Sequence, residues 1–266
     1  MLRPRIIPCL LVKNKGLVKT INFTAPKYVG DPINAVKIFN EKEVDEIVVL
    51  DIDATVENRE PDYLMIKNLA EECRMPLCYG GGVKTIDQVK RIIGLGVEKV
   101  AISSSAIQND QLINRAANSV GNQSVVVVLD IKKRFGGRYE VYTHNATVAT
   151  GHNPFKLAEQ LEKSGVGEIV INSIDNDGVM NGYDLSLVEK IREKTNIPLT
   201  VMGGAGSLED IHELLKKFRI IGAAAGSLFV FKGKYRAVLI NYPNPQEKEE
   251  LIQVSLTAKE NDNNNY

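Results

Sequence analysis

The chain has 266 residues, and its 44% hydrophobic and 25% charged residues are ordinary for a globular protein with a large buried core. Lysine plus arginine and aspartate plus glutamate each number 33, so the formal net charge is zero, and no basic excess favours nucleic acid or a membrane surface as a partner. The three cysteines have no metal-ligand spacing, no apolar run is long enough to cross a bilayer, and the first strand-like run begins too early for a signal peptide. These features predict a cytoplasmic protein that needs no metal and no cofactor.

Apolar, strand-like runs recur along the chain, and each is followed by an amphipathic stretch that suits a helix. The predicted strands cover residues 5–12, 46–51, 76–79, 99–103, 124–131, 168–172, 198–202 and 220–224. The predicted helices cover about 32–42, 61–73, 85–95, 109–119, 154–164, 185–195, 208–217 and 233–239. Strands that alternate with helices indicate a parallel sheet. Runs buried on both faces, in a chain of this length, favour a closed (β/α)8 TIM barrel in the α/β class.

The two halves of the chain resemble each other. Segment 125–132 (VVVVLDIK) resembles 6–13 (IIPCLLVK) at an offset of 119 residues, which places Leu11 opposite Asp130. Segments 49–53, 80–85 and 101–106 resemble 171–175, 202–207 and 223–228, each at an offset of 122. We therefore predict one barrel domain over 1–255, built from duplicated half-barrels of about 1–120 and 121–255.

Two segments lie outside this repeat. Residues 134–151 alternate polar and apolar side chains and predict a small hairpin over the barrel mouth. Residues 256–266 are polar and predict a disordered tail.

Glycines and serines follow four of the predicted strands, at the barrel end where function gathers in this architecture. Exposed backbone N–H groups in such turns, with nearby hydroxyls and a helix N-terminus, form a cradle for anions. The alternative is that these glycines only permit tight turns. Their paired recurrence in both halves favours two phosphate sites on opposite sides of one mouth. The candidates are Gly81, Gly82, Ser103 and Ser104 in the first half and Gly203, Gly204, Gly226 and Ser227 in the second.

Several carboxylates also fall at the predicted mouth. Asp130 ends an otherwise apolar strand, where an unsatisfied carboxylate would be costly, so we interpret it as functional. Asp51, Asp53 and Asp177 suit helix N-caps at least as well as catalysis. Asp175 is assigned to the phosphate-binding set.

Charged residues begin four strands at the opposite end, the barrel floor. They are Arg5, Glu46, Lys99 and Glu168, two positive and two negative. Solvated strand ends would explain them, but alternate strands contribute to one interior layer, so the four charges can also close a ring across the floor. A buried ring costs desolvation and is weak evidence of stability, which makes a gate worth considering.

The chain resembles the cyclase subunit of imidazole glycerol phosphate synthase, from the histidine-biosynthesis barrel family, over residues 1 to about 230. The motifs that carry the resemblance lie at 5–10, 30–32, 80–82, 125–132, 173–178, 182–184 and 203–206. The resemblance implies a barrel that binds a glutaminase at its floor and passes ammonia through its interior to a phosphorylated substrate at the mouth. It also implies that Arg5, Glu46, Lys99 and Glu168 form an ammonia gate, and that Glu98 meets the glutaminase.

The catalytic end departs from this family. The family's general acid/base pair is one aspartate on the first strand and one on the fifth. Asp130 matches the second, but Leu11 stands in place of the first, and leucine neither donates nor accepts a proton. Loss of such a group typically lowers the rate about 10²–10⁴-fold. The family's first loop keeps Lys19 as a catalytic candidate, while Thr20 replaces a glycine.

Further changes cluster at the mouth, because Met202, Val179 and Ser103 occupy positions where the family commonly has serine, threonine and asparagine. This pattern indicates a new acceptor for the same ammonia. The chain also resembles cyclase-like paralogues encoded with surface-polysaccharide genes. Those act with a glutaminase and a separate sugar amidotransferase, and convert the N-acetyl group of an amino sugar to an acetamidino group.

Three other interpretations stay open. The chain would be a true cyclase–lyase of histidine synthesis if another group replaced the missing base. It would be a non-catalytic ammonia conduit or scaffold if its partners did all the chemistry. A sugar-phosphate isomerase of the sister family also needs the first-strand aspartate and has no need of a gate.

Overall fold

Eight parallel strands close into a barrel in the computed structural model, which describes residues 3–262. They are β1 (Arg5–Lys13), β2 (Ile47–Asp51), β3 (Leu77–Gly80), β4 (Lys99–Ile102), β5 (Val125–Lys133), β6 (Glu168–Ser173), β7 (Leu199–Met202) and β8 (Gly222–Ala225). Each strand pairs with the next along the chain, and β8 pairs with β1 from Gly222 opposite Arg5 to Ala225 opposite Pro8. The predicted (β/α)8 TIM barrel is confirmed.

Helices cover the outside of the barrel. They are α1 (Pro32–Glu41), α2 (Tyr63–Glu72), α3 (Ile86–Gly94), α4 (Asp110–Val120), α5 (Pro154–Lys163), α6 (Leu185–Arg192), α7 (Leu208–Phe218) and α8 (Pro245–Asp262). Thr85 caps α3 and Ser207 caps α7, each through a reciprocal capping box with the residue three positions later. These caps lie 122 residues apart, at the offset of the sequence repeat, so the two half-barrels share local structure as well as sequence. Short helices at Ser104–Gln108 and Ser227–Val230 begin just after β4 and β8.

Two antiparallel hairpins extend the barrel strands at the mouth. Strands Tyr139–Thr143 and Val148–Ala149 follow β5, which confirms the hairpin predicted within 134–151. Strands Gly16–Ile21 and Thr24–Gly30 follow β1, and the sequence analysis did not predict them. Because it comes first along the chain, we call the pair Gly16–Ile21 and Thr24–Gly30 the first hairpin.

The C-terminal region differs from the sequence prediction. The helix predicted at 233–239 is wrong: Phe231–Lys232 and Ala237–Val238 form a small antiparallel pair there. Gly233 (φ +73°) and Arg236 (φ +47°) take left-handed conformations in the turn, which a helix does not accommodate. Helix α8 then covers residues 256–262, where the sequence predicts a disordered tail, and 263–266 lie outside the described residues.

The barrel interior is filled by one apolar column, which we call the bore. Its buried side chains are Ile7, Cys9, Val48, Cys78, Ala101, Val126, Val128, Val170, Met202 and Ala224. Leu11 and Leu50 pack against this column and also line the mouth. Within the described residues, no helix has the length and apolar character needed to cross a bilayer.

Candidate functional site

The four floor charges form a closed ring of ion pairs. Lys99 Nζ lies 2.8 Å from Glu46 Oε2 and 2.9 Å from Glu168 Oε2. Arg5 also bridges both acids, with its Nη2 2.7 Å from Glu168 Oε1 and its Nη1 bonded to Glu46. Thr200 on β7 adds a hydroxyl that donates to Glu168. The ring predicted from the strand starts is confirmed, and the sequence analysis missed Thr200.

Burial and pairing oppose each other in this ring. Burial on its own would raise the pKa of Glu168, but the charges and hydrogen bonds of Arg5 and Lys99 outweigh it and lower that pKa to about 2. Burial would likewise lower the pKa of Lys99, yet the two glutamates raise it overall. Arg5, Lys99 and Glu168 are therefore charged at neutral pH. The formal charges of the four ring residues sum to zero. Glu98 is exposed directly before this ring, on the floor side of β4.

The opposite end of the bore opens into a pocket at the mouth. The structure brings nearly all the predicted mouth residues to it. They are Leu11, Lys19, Gly81, Gly82, Ser103, Ser104, Asp130, Gly203, Gly204, Gly226 and Ser227. Asp175 is the exception, because it is not among the lining residues and its Oδ2 accepts the backbone N–H of Lys133 at 2.7 Å. Its assignment to phosphate binding stays a prediction, and in the structure its carboxylate holds the end of β5.

The glycines at the mouth are required by close backbone approach. Gly81 has φ +126°, and a Cβ there would lie 2.5 Å from the backbone oxygen of Asp51. Gly203, 122 residues later, has φ +88°, and its Cβ would lie 2.6 Å from the oxygen of Ser173. A tight turn explains both positions and also leaves the mouth open to an anion, so the structure agrees with either interpretation.

Buried polar atoms at the mouth are short of partners. Ser103 Oγ and Asn172 Oδ1 are buried and have no hydrogen-bond partner among the described residues. Both residues line the pocket. Because an unpaired buried polar atom costs free energy, these two atoms are suited to hydrogen bonds with a ligand.

Asp130 lies near the end of β5 and lines the pocket, as the sequence predicts. Asn172, opposite it on β6, donates a side-chain amide hydrogen to Asp130 Oδ1 at 2.8 Å. Burial raises the pKa of Asp130 to about 7, although the bond from Asn172 opposes this and the charge of Asp177 adds to it. A carboxyl group with this pKa exchanges a proton readily near neutral pH.

Lys19 belongs to the first hairpin, and its side chain is buried in the barrel mouth. It is 6% exposed, and its Nζ donates to the backbone oxygen of Cys9 at 2.6 Å. Burial lowers the pKa of Lys19, opposed by the nearby Cys9 and Asp177. Asp177 holds the hairpin down, since its Oδ2 accepts the Thr20 hydroxyl at 2.7 Å and the Phe23 N–H at 3.1 Å.

The other mouth acids have structural roles. Asp51 Oδ1 accepts the backbone N–H groups of Asp53 and Ala54, both at 3.2 Å, and the carboxylate pairs with Arg59. Asp53 pairs with Lys13 at 3.2 Å. Asp51 is therefore a local cap, as the sequence suggests, whereas Asp53 is held by an ion pair and its buried Oδ2 has no hydrogen-bond partner among the described residues.

Asn172, His144 and Asn145 are mouth residues that the sequence analysis missed. His144 and Asn145 belong to the turn of the hairpin after β5, and a fold placement was needed to bring them to the pocket. No group of three or more histidine, cysteine, aspartate or glutamate side chains within the described residues is arranged to hold a metal ion.

Comparison with known proteins agrees with this geometry. A family profile described as "Histidine biosynthesis protein" matches residues 5–236. The chain belongs to this family. Two curated relatives carry provisional names as imidazole glycerol phosphate synthase subunits: hisF3 of Vibrio vulnificus, 55% identical over 96% of this chain and 98% of its own, and HisF of Leptospira interrogans, 56% identical over 95% and 100%. The imidazole glycerol phosphate synthase subunit HisF of Lactococcus lactis is 41% identical, over 97% of each chain. The family thus comprises barrels of the HisF type, and this chain is one of them.

Proposed function

We propose that this chain is the barrel subunit of a glutamine-dependent amidotransferase complex. In this proposal a glutaminase docks at the floor and releases ammonia, which passes through the bore to an amino-sugar acceptor at the mouth. The N-acetyl group of that acceptor becomes an acetamidino group during surface-polysaccharide synthesis. A separate sugar amidotransferase activates the acceptor's carbonyl oxygen with a nucleoside triphosphate, which makes that oxygen a leaving group. Ammonia from the barrel then forms the new C–N bond, the C–O bond breaks, and the oxygen leaves with the transferred phosphoryl or nucleotidyl group.

The floor supports the first step. The ring of Arg5, Glu46, Lys99 and Glu168 closes the bore at the end where a glutaminase would dock. Exposed Glu98 offers a carboxylate to a basic residue of that partner. The ring acts as the gate, because one of its four ion pairs must open for ammonia to enter. The three remaining ion pairs still compensate the four charges in part.

The bore supports the second step. Its walls are aliphatic side chains and the thiols of Cys9 and Cys78. Burial raises the pKa of Cys9 to about 11, so this thiol is neutral at physiological pH. An apolar wall admits neutral ammonia and penalises the ammonium ion, which would lose its hydration without a partner.

The single observation that carries the proposal is that Leu11 and Asp130 line the same pocket at the mouth. Only one of them titrates. A cyclase reaction that needs two carboxylates lacks its first-strand partner here, whereas transfer of one proton from an incoming nitrogen needs only Asp130. The glycine turns keep an anion cradle for a phosphorylated ligand.

Turnover of the doubly phosphorylated substrate of imidazole glycerol phosphate synthase tests the proposal. The purified chain would be assayed with an ammonium salt, in parallel with the Lactococcus lactis relative. We expect a rate at least about 10²-fold below that of the relative. An equal rate would establish the cyclase function in histidine synthesis and overturn sugar amidation.

The remaining alternative is a conduit without chemistry of its own. Asp130→Asn in the complete complex separates it from the proposal, because a conduit needs no titrating group at its exit. Unchanged delivery of nitrogen to the acceptor in this variant would favour the conduit.

A further inference from the structure

A side groove opens off the mouth pocket in the first half-barrel, between the loops that follow β2, β3 and β4. Outside the mouth it is lined by Val56, Asn58, Lys84, Gln108 and Asn109. It adjoins the mouth at Thr55, Ser104, Ser105 and His144, which line both spaces. The groove is therefore placed to receive the end of a ligand held in the mouth.

The chemistry of the side groove is that of a binding site for hydroxyl groups and one anion. Asn58, Gln108 and Asn109 are exposed carboxamides, each able to donate and to accept hydrogen bonds. Lys84 is exposed and donates to Asn58 Oδ1. It is the one lysine or arginine among the described residues that line the groove. Carboxamides together with a cation suit a saccharide that carries an acidic group.

The second half-barrel shows that this groove is not a by-product of the duplication. At the offset of 122 residues, Met180 corresponds to Asn58 and Gly206 to Lys84. Asn58 (φ +54°) and Met180 (φ +65°) both take left-handed conformations, so the repeat keeps the backbone conformation at this position. In the second half a Cβ at Gly206 would lie 2.2 Å from the Met180 oxygen and 2.7 Å from its Cβ. The space that Lys84 occupies in the first half is therefore closed in the second.

The remaining groove positions follow the same contrast. Val230 and Phe231 correspond to Gln108 and Asn109, and they are only 2% and 8% exposed. One half-barrel thus fills these positions with apolar packing, and the other presents carboxamides to solvent. The first half is the one with room for a ligand.

We propose that the side groove binds an acidic sugar unit of the acceptor, with Lys84 facing its carboxylate and the carboxamides of Asn58, Gln108 and Asn109 facing its hydroxyls. The inference rests on the proposed function for the identity of the acceptor. Its consequence is that the acceptor is larger than one sugar, with one unit in the mouth and an acidic unit in the groove.

Titration of the full chain with D-glucuronate, followed by ¹H–¹⁵N NMR, tests the proposal. We expect saturable shifts of the side-chain amide signals of Asn58, Gln108 and Asn109. D-Glucose should bind about ten-fold more weakly, since it lacks the charge that Lys84 recognises. Acetate at the same concentration should leave these signals unshifted.

Variants then assign the site. Lys84→Met should lower the affinity for glucuronate about ten-fold, to that of glucose. The double variant Asn58→Met with Lys84→Gly copies the closed pair of the second half and should abolish binding. Lys67→Met removes an exposed lysine of α2 and should change nothing. An otherwise unchanged spectrum shows that each variant is folded.

Absence of saturable shifts, an equal response to acetate, or an unchanged affinity in Lys84→Met would overturn the groove as a saccharide site. None of these measurements involves turnover. Full cyclase activity with intact glucuronate binding would therefore overturn the proposed function alone, and lost binding without cyclase activity would overturn the groove alone.

Discussion

Asn172 and Asp130 face each other across β6 and β5, joined by an amide-to-carboxylate hydrogen bond of 2.8 Å. The bond occupies one carboxylate oxygen of Asp130 and opposes the effect of burial on its pKa. Asn172 therefore acts through Asp130, as a positioning residue that keeps the proton affinity of this acid near neutrality.

Replacing Asn172 by leucine should raise the pKa of Asp130 above about 7. The variant removes the hydrogen bond that stabilises the charged form, and burial remains. Carboxyl ¹³C NMR would follow the titration, with the signal assigned by its loss in Asp130→Asn. Ser173→Ala changes the next buried polar residue of β6 and is the matched control. An unchanged or lower pKa in the leucine variant would contradict the role of Asn172.

The stability of the Asp130→Asn variant relative to the wild type should increase as the pH rises. The carboxyl titrates at 3.8 in the unfolded chain and at about 7 in the fold, so the folded state binds the proton more tightly. Its favourable contribution is complete below the unfolded pKa and is lost as the pH rises through 7. The variant has no such carboxyl group. Its free energy of unfolding, relative to that of the wild type, should therefore rise by as much as about 4 kcal/mol between about pH 4 and pH 8. Urea denaturation at several pH values measures the difference, and parallel curves would refute the expectation.

Glu168→Gln should destabilise the barrel by about 3–5 kcal/mol, because Arg5 and Lys99 lose a buried counter-charge. The pKa of Glu168 is lowered to about 2, so its stabilising effect is present above the unfolded pKa of 4.5 and is lost as the pH falls toward 2. The difference between variant and wild type, measured by urea denaturation, should shrink over that interval. Glu249→Gln, which breaks the exposed pair with Arg3, should cost less than about 1 kcal/mol. An equal loss of stability in the two variants would show that the ion pairs of the ring contribute no more than an exposed ion pair.

Leu11→Asp should introduce cyclase activity with ammonium, by about 10²-fold or more over the wild type, because it restores a second acid facing Asp130. Leu50→Asp is the matched control, since Leu50 pairs with Leu11 and lines the same pocket from β2. Product formation from the doubly phosphorylated substrate is the measurement. Similar activity in both variants would show that an added charge, and not its position, is responsible.

Thr20→Gly should loosen the first hairpin. The variant removes the hydroxyl bond to Asp177 and adds backbone freedom, together worth about 2 kcal/mol of local stability. Hydrogen exchange of segment 16–30 should therefore become faster by about one to two powers of ten. Thr24→Gly removes only a bond to Ile21 within the hairpin and serves as the control. The same exchange rate in Thr20→Gly and the wild type would show that Asp177 does not hold the hairpin.

The sequence predicts the barrel well because each strand is an apolar run with its own boundaries. It also predicts the floor ring, since strand starts such as Arg5 and Glu168 define one layer of the barrel. The sequence does not predict which side chains from different strands and loops come into contact. The bond between Asn172 and Asp130 depends on the register of β5 against β6, and the position of His144 depends on where a hairpin turns. The contact of the Asp175 carboxylate with the backbone N–H of Lys133 depends on tertiary pairing in the same way.

The apolar bore separates two electrostatic environments within one short barrel. Residues such as Cys9, Val48 and Val126 carry no charge and offer no chain of polar groups along which protons could pass. The shifted pKa of Asp130 arises from burial, Asn172 and Asp177, and none of these lies at the floor. Under the proposed function, this separation lets the acceptor at the mouth change while the ammonia donor at the floor stays the same.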